Sequence, residues 1–200
     1  MKKFIFFPLI LFALIGFGLY LSLFVATGNS FSKKRTMAFD IIGKLSQKYE
    51  NKYGLRYMGI TEGTKDGKYD LIGLYLTCNT ILTKDQGRIL LLNCLRDTLD
   101  TFNSCQEFEQ YMINYPFTRD NVFIDILVQL PGVSAIYYPN ITSFSISRGR
   151  LTYNAETIEV PYLYAHEEVE TYEEALKIVE TQNNGLLKSE HKDGSSTLHQ

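Results

Sequence analysis

Tryptophan is absent from the 200-residue chain, and cysteine occurs only three times, an odd number that cannot pair completely within one chain. Cys94 and Cys105 are 11 positions apart. On one helix they would lie about 16 Å apart along the axis, too far for a disulfide bond. A bridge from Cys78 to either of them stays geometrically possible. We expect all three cysteines to be small buried apolar residues, because 14 tyrosines and 13 phenylalanines supply bulk for a core that needs no covalent staple.

The sequence also lacks the motifs of the common catalytic and cofactor-binding classes. There is no glycine-rich phosphate loop, no Gly-x-Ser-x-Gly and no Cys-x-x-Cys. His166 has no second histidine nearby, since His191 and His199 lie close to the C-terminus, so a zinc site at helical spacing is not indicated. No calcium-binding EF-hand pattern is present either. The sequence therefore predicts no cofactor and no metal site.

Acidic residues are missing from the first 35 positions, which hold five basic ones. From Thr36 onward, 15 basic residues face 22 acidic ones, so the body of the chain is acidic. Nucleic-acid binding needs clustered lysine and arginine, and we therefore expect no nucleic-acid partner. The basic residues of the N-terminal part are instead suited to lipid headgroups.

Residues 4–26 form an uninterrupted apolar run without a charge. As a helix, 23 residues reach about 35 Å, which is enough to cross a hydrocarbon core of about 30 Å. Backbone groups in lipid must bond internally, so a helix is the form that a single span takes. We predict that residues 4–26 contact membrane lipid as a transmembrane signal-anchor.

A cleaved secretory signal is the alternative, because Lys2 and Lys3 form a positive n-region and residues 26–28 resemble a cleavage site. The apolar run exceeds the usual length of a signal peptide, which favours the uncleaved anchor. Lysines flank the apolar run on both sides, so the positive-inside rule does not determine which end of the run faces the cytoplasm. The short basic head favours a single-pass protein with a cytoplasmic N-terminus and an exported C-terminal domain.

Hydrophobic periodicity divides the remainder into helices and strands in the order α-β-β-α-β-β-β-α. The strands come in neighbouring pairs with tight turns at Asp66-Gly67 and Arg148-Gly149, which favours an α+β domain with a mostly antiparallel sheet packed on helices. The predicted helices are 36–52, 84–113 and one from Thr171 to about 185; the predicted strands are 55–63, 69–78, 121–130 and a hairpin from 141, with 157–164 as a further strand or edge piece. The predicted organisation is a transmembrane signal-anchor (1–28), a basic juxtamembrane joint (29–35), an α+β domain (36–185) and a disordered polar tail (186–200).

Three residues are weak candidates for catalysis. Asp125 lies in an apolar strand, where burial would raise the pKa of its carboxyl group, although it could equally face solvent or pair with Arg119 or Arg148. His166 and Glu167 belong to a dense group of polar side chains. Acids just before and within the first turn of a helix also favour its positive end, which is the simpler interpretation of that group.

The segment from Glu156 to Glu180 contains eight acidic residues and one lysine. This segment is either a solvated face or a docking surface for a basic protein. Without a catalytic motif, the sequence favours a membrane-anchored interaction module with a protein partner at the membrane face. An envelope enzyme of hydrolase type and a cleaved secreted protein are the alternatives.

The anchor makes a direct prediction about fractionation. The full-length chain with a C-terminal tag should sediment with membranes and be released by detergent but not by high salt. Protease added to intact cells should remove the tag if the C-terminal domain is exported.

A matched chain that starts at Thr36 should stay in the supernatant after the same high-speed spin. Full-length protein that is soluble without detergent, with Met1 retained, would exclude the anchor. A mature N-terminus near Asn29 would instead identify the run as a cleaved signal.

Overall fold

A computed structural model of the protein describes residues 33–159 and 164–193, with side chains to residue 182. The predicted anchor, residues 4–26, lies outside the described residues. Within the described part, no helix combines the length and the apolar character that crossing a membrane requires. The chain divides into two compact units, Met1–Ile42 and Gly43–Gln200. In the first unit, the described residues 33–42 are helical, and Arg35 lies 5.9 Å from the ring centroid of Phe39.

The second unit is built on one six-stranded sheet in which the strands lie side by side in chain order. The strands are β1 (Arg56–Lys65), β2 (Lys68–Cys78), β3 (Val122–Val128), β4 (Ser143–Ser147), β5 (Arg150–Glu156) and β6 (Tyr164–Thr171). All neighbouring pairs are antiparallel except β2 and β3, which are parallel. An α+β domain with a mixed sheet is therefore present, as the sequence predicts at the level of fold class.

The strand count in the predicted order is wrong by one. Residues 164–171 form β6, whereas the sequence indicates loop and helix start over most of this stretch. The reason is that β6 is an edge strand whose side chains are mostly exposed and charged, so it lacks the apolar alternation on which strand prediction depends.

Both predicted hairpin turns are confirmed. Asp66 and Gly67 have φ angles of 52° and 74°, and Arg148 and Gly149 have φ angles of 49° and 72°. Two consecutive residues in the left-handed region are typical of the type I′ turn, whose twist matches that of the flanking strands. The turns therefore fix the register of β1 with β2 and of β4 with β5.

The α-helices of the described residues are α1 (residues 33–53), α2 (Lys84–Asn103) and α3 (Tyr172–Asp193). The sequence predicts a later start for α1, at residue 36. Its predicted end is confirmed, because Gly54 takes a φ of 67° and its N–H donates to the carbonyl of Glu50 at 3.1 Å. The predicted capping box of α2 is present, since the N–H of Gln86 donates to Thr83 and the N–H of Thr83 donates to Gln86.

Helix α2 is shorter than predicted and α3 is longer. Asn103 ends α2 because its side chain binds both the N–H and the carbonyl of Phe117. The chain continues in a 3₁₀-helix, Gln106–Tyr111, that places Phe108 in the core. Helix α3 continues past Gly185 to Asp193, because a glycine inside a helix costs only about 1 kcal/mol and does not by itself end it. Residues 194–200 of the predicted tail lie outside the described residues.

The core lies between the sheet and α2. In β3, the buried residues Val122, Ile124, Ile126 and Val128 alternate with the half-buried Phe123, Asp125 and Leu127, so one face of the strand carries only aliphatic side chains. Phe144 lies beside Ile126 on the same face and contacts α2 at Gly87. We call the opposite face of the sheet the far face; it contains Asp125.

The approach of α2 to the sheet predicts opposite effects of alanine at two helical glycines. A Cβ at Gly87 would lie 2.0 Å from Cε1 of Phe144, whereas a Cβ at Gly43 in α1 would meet nothing within 4 Å. We expect Gly87→Ala to lower the free energy of unfolding by roughly 1–3 kcal/mol through overpacking. Gly43→Ala should raise it by roughly 0.5–1 kcal/mol through helix propensity.

Chemical denaturation of the two variants and the parent measures both effects. Equal stabilisation by both substitutions would show that α2 does not contact Phe144 in this way.

Candidate functional site

A cleft lies at the edge of the sheet where the parallel strands β2 and β3 end. It has a volume of about 770 Å³ and is bounded by the loop 129–136 on one side and by the start of β1 on the other. The carboxyl ends of neighbouring parallel strands are the usual position of ligand sites in open sheets, because the following chain segments diverge there and leave a crevice.

The walls of the cleft are mixed in character. Leu127, Val133 and Ile136 supply apolar surface, whereas Arg56 and Gln129 supply polar groups. Val133 is half exposed at the rim and Ile136 is buried. A concave surface that combines apolar side chains with a few polar groups is typical of a binding site, and Cys78 and Glu156 also line the cleft.

Asp125 lies on the far face, two residues before Leu127 of the cleft wall, and does not itself line the cleft. It is half-buried in the middle of β3, and the hydroxyl of Ser143 donates to its Oδ1 at 2.8 Å. Burial raises the pKa of the Asp125 carboxyl above its ordinary value, and the hydrogen bond from Ser143 offsets only part of this. The predicted orientation of Asp125, opposite to the aliphatic side of the strand, is confirmed. Neither Arg119 nor Arg148 pairs with it, and within the described part of the chain Asp125 makes no ion pair.

Aromatic rings surround Asp125 on the far face. Tyr75 of β2 is its register partner, and Phe123 is the next side chain on the same side of β3. The Tyr75 and Phe123 rings meet edge to face with centroids 5.5 Å apart. Tyr164 of β6 is also close to Asp125. Burial raises the pKa of the Tyr164 phenol, and the negative charge of Asp125 raises it further. Ser143 forms a hydrogen bond with the same phenol.

A second acceptor lies beside this group. Asn154 of β5 is the register partner of Ser143 and therefore shares its face of the sheet. Only 8% of Asn154 is exposed, and its Oδ1 is one of the buried polar side-chain atoms without a hydrogen-bond partner in the described structure. A buried acceptor without a donor costs free energy, so this position is unusual for a purely structural side chain.

His166 and Glu167 do not form a site together. They are neighbours in β6, and successive side chains of a strand point to opposite faces. The His166 ring stacks on Tyr138 at 4.1 Å, beside a cavity of about 330 Å³ on the α2 side of the sheet. Glu167 lies across from Asn154 on the far face. Both residues belong to β6, which ends at Thr171 directly before α3, so they precede the helix and lie outside its first turn.

Three of the eight acids between Glu156 and Glu180, namely Glu168, Glu170 and Glu173, form ion pairs with basic residues of the domain. Lys84 binds Glu168 at 2.7 Å, and Arg119 forms an ion pair with Glu173. Glu174 accepts from the N–H and the hydroxyl of Thr171 and so caps α3. The eight acids therefore do not form one uncompensated surface, which weakens the expectation of a docking surface for a basic protein.

The most buried of these pairs joins α2 to β6. Arg88 donates to both carboxylate oxygens of Glu170, at 2.6 and 3.0 Å, and the Tyr153 hydroxyl donates to the same carboxylate. Burial opposes the charge of Glu170, but the hydrogen bonds from Arg88 and Tyr153 hold the pKa of its carboxyl below the ordinary value. This carboxylate is fully satisfied and is therefore a structural ion pair and not a candidate site.

Asp97 provides a second satisfied carboxylate. It binds Lys48 at 2.9 Å, Lys52 at 3.2 Å and the hydroxyl of Tyr53 at 2.8 Å. Burial alone would raise the pKa of its carboxyl, but these donors, Lys48 first, bring it below the ordinary value. Asp97 and Asp125 thus differ in their described partners: Asp97 has two lysines beside it, whereas Asp125 has the hydroxyl of Ser143.

The cysteines and the search for metal ligands add no further site. Cys78 and Cys94 are buried free thiols and Cys105 is a half-exposed one, and Cys105 lies beyond the end of α2. Burial raises the pKa of the Cys94 thiol, which argues against a nucleophile there. Among the residues that the structure describes, no three histidine, cysteine, aspartate or glutamate side chains are grouped so that they could hold a metal ion.

Comparisons with known proteins leave the site to be interpreted from its own geometry. No family model, no curated protein and no solved structure matches the chain.

The two aspartates predict stability changes of opposite sign. Because burial raises the pKa of folded Asp125, the native state binds the proton more tightly than the unfolded state, and the charge at pH 7 costs stability. Asp125→Asn keeps an acceptor for Ser143 and removes the charge, so it should raise the free energy of unfolding at pH 7 by roughly 0.5 kcal/mol or more. This gain should disappear as the pH falls through the folded pKa toward the ordinary value of 3.8.

Asp97→Asn is the matched control. The pKa of folded Asp97 is lowered, so its charge stabilises the fold above the ordinary value, and this contribution is lost as the pH falls through the folded pKa. We expect a loss of roughly 1–2 kcal/mol at pH 7, discounted for the exposed lysines. Thermal unfolding between pH 3 and pH 8 measures both, and a destabilising Asp125→Asn at pH 7 would contradict the assignment.

Proposed function

We propose that the protein is a membrane-anchored binding module and that it holds its ligand in the cleft at the carboxyl ends of β2 and β3. The observation that carries this proposal is the cleft itself, which combines apolar walls with Arg56 and Gln129 at the ends of the central strands. A cleft of about 770 Å³ suits a drug-sized ligand or a short peptide segment.

The apolar run 4–26 supports an anchored protein, with the domain on the exported side and its partner at the membrane face. Loop 129–136 follows a central strand and presents Val133 to solvent. An apolar side chain at the rim of a concave surface is a common feature of interaction sites, because it loses water when a partner binds.

Site-specific photo-crosslinking tests the cleft in cells that express the full-length chain. A photoreactive amino acid at Val133, which is 50% exposed, should give one discrete crosslinked product. The same amino acid at Ile89, which is 38% exposed on α2, should not give that product. A second substitution that fills the cleft, Ala135→Trp, should reduce the Val133 product at least severalfold.

Identical products from Val133 and Ile89 would indicate random collision. No product from Val133 or from a second cleft position, Arg56, would remove the cleft as the binding site.

An envelope enzyme is the second candidate, and one observation favours it: the half-buried carboxyl of Asp125, whose pKa burial raises, lies beside the hydroxyl of Ser143. A carboxyl whose pKa is raised suits a role as general acid or base. His166 lies on the opposite face of the sheet from Asp125, so these two residues cannot act on one substrate in this fold. Turnover of ester or peptide substrates that Asp125→Asn abolishes would favour the enzyme over the binding module.

A further inference from the structure

The Asp125 carboxylate is half-buried and, among the residues that the structure describes, forms no ion pair. Glu170 and Asp97, the other two buried carboxylates discussed above, are each held by an arginine or by lysines. Asp125 has only the hydroxyl of Ser143 at 2.8 Å. An unpaired buried charge is costly, and a fold usually places a counter-charge beside it or removes it. The position is therefore one at which an external cation would gain free energy.

The surroundings of Asp125 suit an organic cation. Tyr75 and Tyr164 are 39% and 51% exposed, so their ring surfaces are accessible next to the carboxylate. Phe123 extends the aromatic surface, with its ring 5.5 Å from that of Tyr75. Aromatic faces attract ammonium and guanidinium groups through the ring quadrupole, and the attraction adds to that of a carboxylate.

A second acceptor on this part of the far face has no donor in the described structure. Asn154 Oδ1 is buried without a partner, and Asn154 lies across from Ser143. An alkylammonium group offers three donors and a guanidinium group offers five, so either can serve a carboxylate and a neighbouring acceptor together.

We propose that Asp125, with Tyr75, Phe123 and Tyr164 around it, forms a binding site for an alkylammonium or guanidinium group. The site is separate from the cleft of the proposed function, since Asp125 does not line that cleft. A metal ion is a weaker fit, because hard cations take six or more oxygen ligands and three aromatic rings make up much of this site.

Amide NMR of the full-length chain in detergent micelles tests the proposal with n-butylammonium chloride as the probe and with n-butanol as its neutral counterpart. Sodium chloride at the same ionic strength provides the reference. We expect n-butylammonium to shift the amide signals of Ser143 and Ser145 saturably, with a dissociation constant on the order of millimolar. n-Butanol should not produce these shifts.

Two variants separate the charge from the rings. Asp125→Asn should weaken n-butylammonium binding roughly tenfold or more, because it removes the charged acceptor. Tyr75→Leu keeps apolar surface without a ring and should weaken binding roughly two- to fivefold. Asp100→Asn, at an exposed position of α2, should change nothing. Retained dispersion of the amide spectrum shows that each variant is folded.

Blocked lysine and blocked arginine distinguish the source of the cation. If the blocked residues bind with the same affinity as n-butylammonium, the ligand of the site is a free amine. If a blocked residue binds more tightly, the ligand is a side chain of a partner protein. Both results support a cation site. Unchanged affinity in Asp125→Asn, equal shifts with n-butanol, or shifts with calcium chloride alone would overturn it. The n-butylammonium titration tests Asp125 on the far face, whereas the photo-crosslinking at Val133 tests the cleft. Either experiment can therefore give a negative result without deciding the other.

Discussion

The parallel pairing of β2 with β3 is the constraint on which the rest of the structure depends. Two parallel strands cannot be joined by a tight turn, so the chain must cross over between them, and α2 makes most of that crossover. The crossover brings α2 onto one face of the sheet and leaves the carboxyl ends of both strands at one edge, where the cleft lies. It also makes β3 a central strand, so that Asp125 is half-buried, whereas on an edge strand its carboxylate would be hydrated.

Charge pairing then determines which acids are available for binding. The domain is acidic, but its most buried acids are used within the fold: Glu170 holds β6 against α2 through Arg88, and Asp97 joins α1 to α2 through Lys48. These pairs connect segments far apart in the chain, so breaking either would leave an uncompensated buried charge. Asp125 is the exception, because its only described partner is a neutral hydroxyl. A half-buried carboxylate such as that of Asp125 lowers stability, and residues that lower stability are common at functional sites.

The apolar side and the far side of the sheet have different physical roles. On the α2 side, Ile124, Ile126 and Phe144 form a dry surface whose packing leaves no room for a side chain at Gly87. On the far side, polar and aromatic residues of five strands share rows across the sheet, and Tyr75, Asp125 and Ser145 occupy one such row. Because directly opposed residues of neighbouring strands point the same way, residues distant in the chain lie within a few ångströms of one another.

The sequence by itself determined the local features: both hairpin turns, the starts of α2 and α3, and the end of α1 near Gly54. Each depends on a few consecutive residues or on a two-residue period, so each can be seen without the fold. Only the tertiary structure decided the rest. Strand β6 forms because β5 pairs with it, although its own residues are charged and exposed. Likewise α2 ends at Asn103 because that side chain binds Phe117, 14 residues away. Strand order and register also decide three features of the candidate site: the separation of His166 from Asp125, the ion-paired acids, and the rings beside Asp125. Contacts between distant residues determine order and register, so no local sequence pattern predicts them.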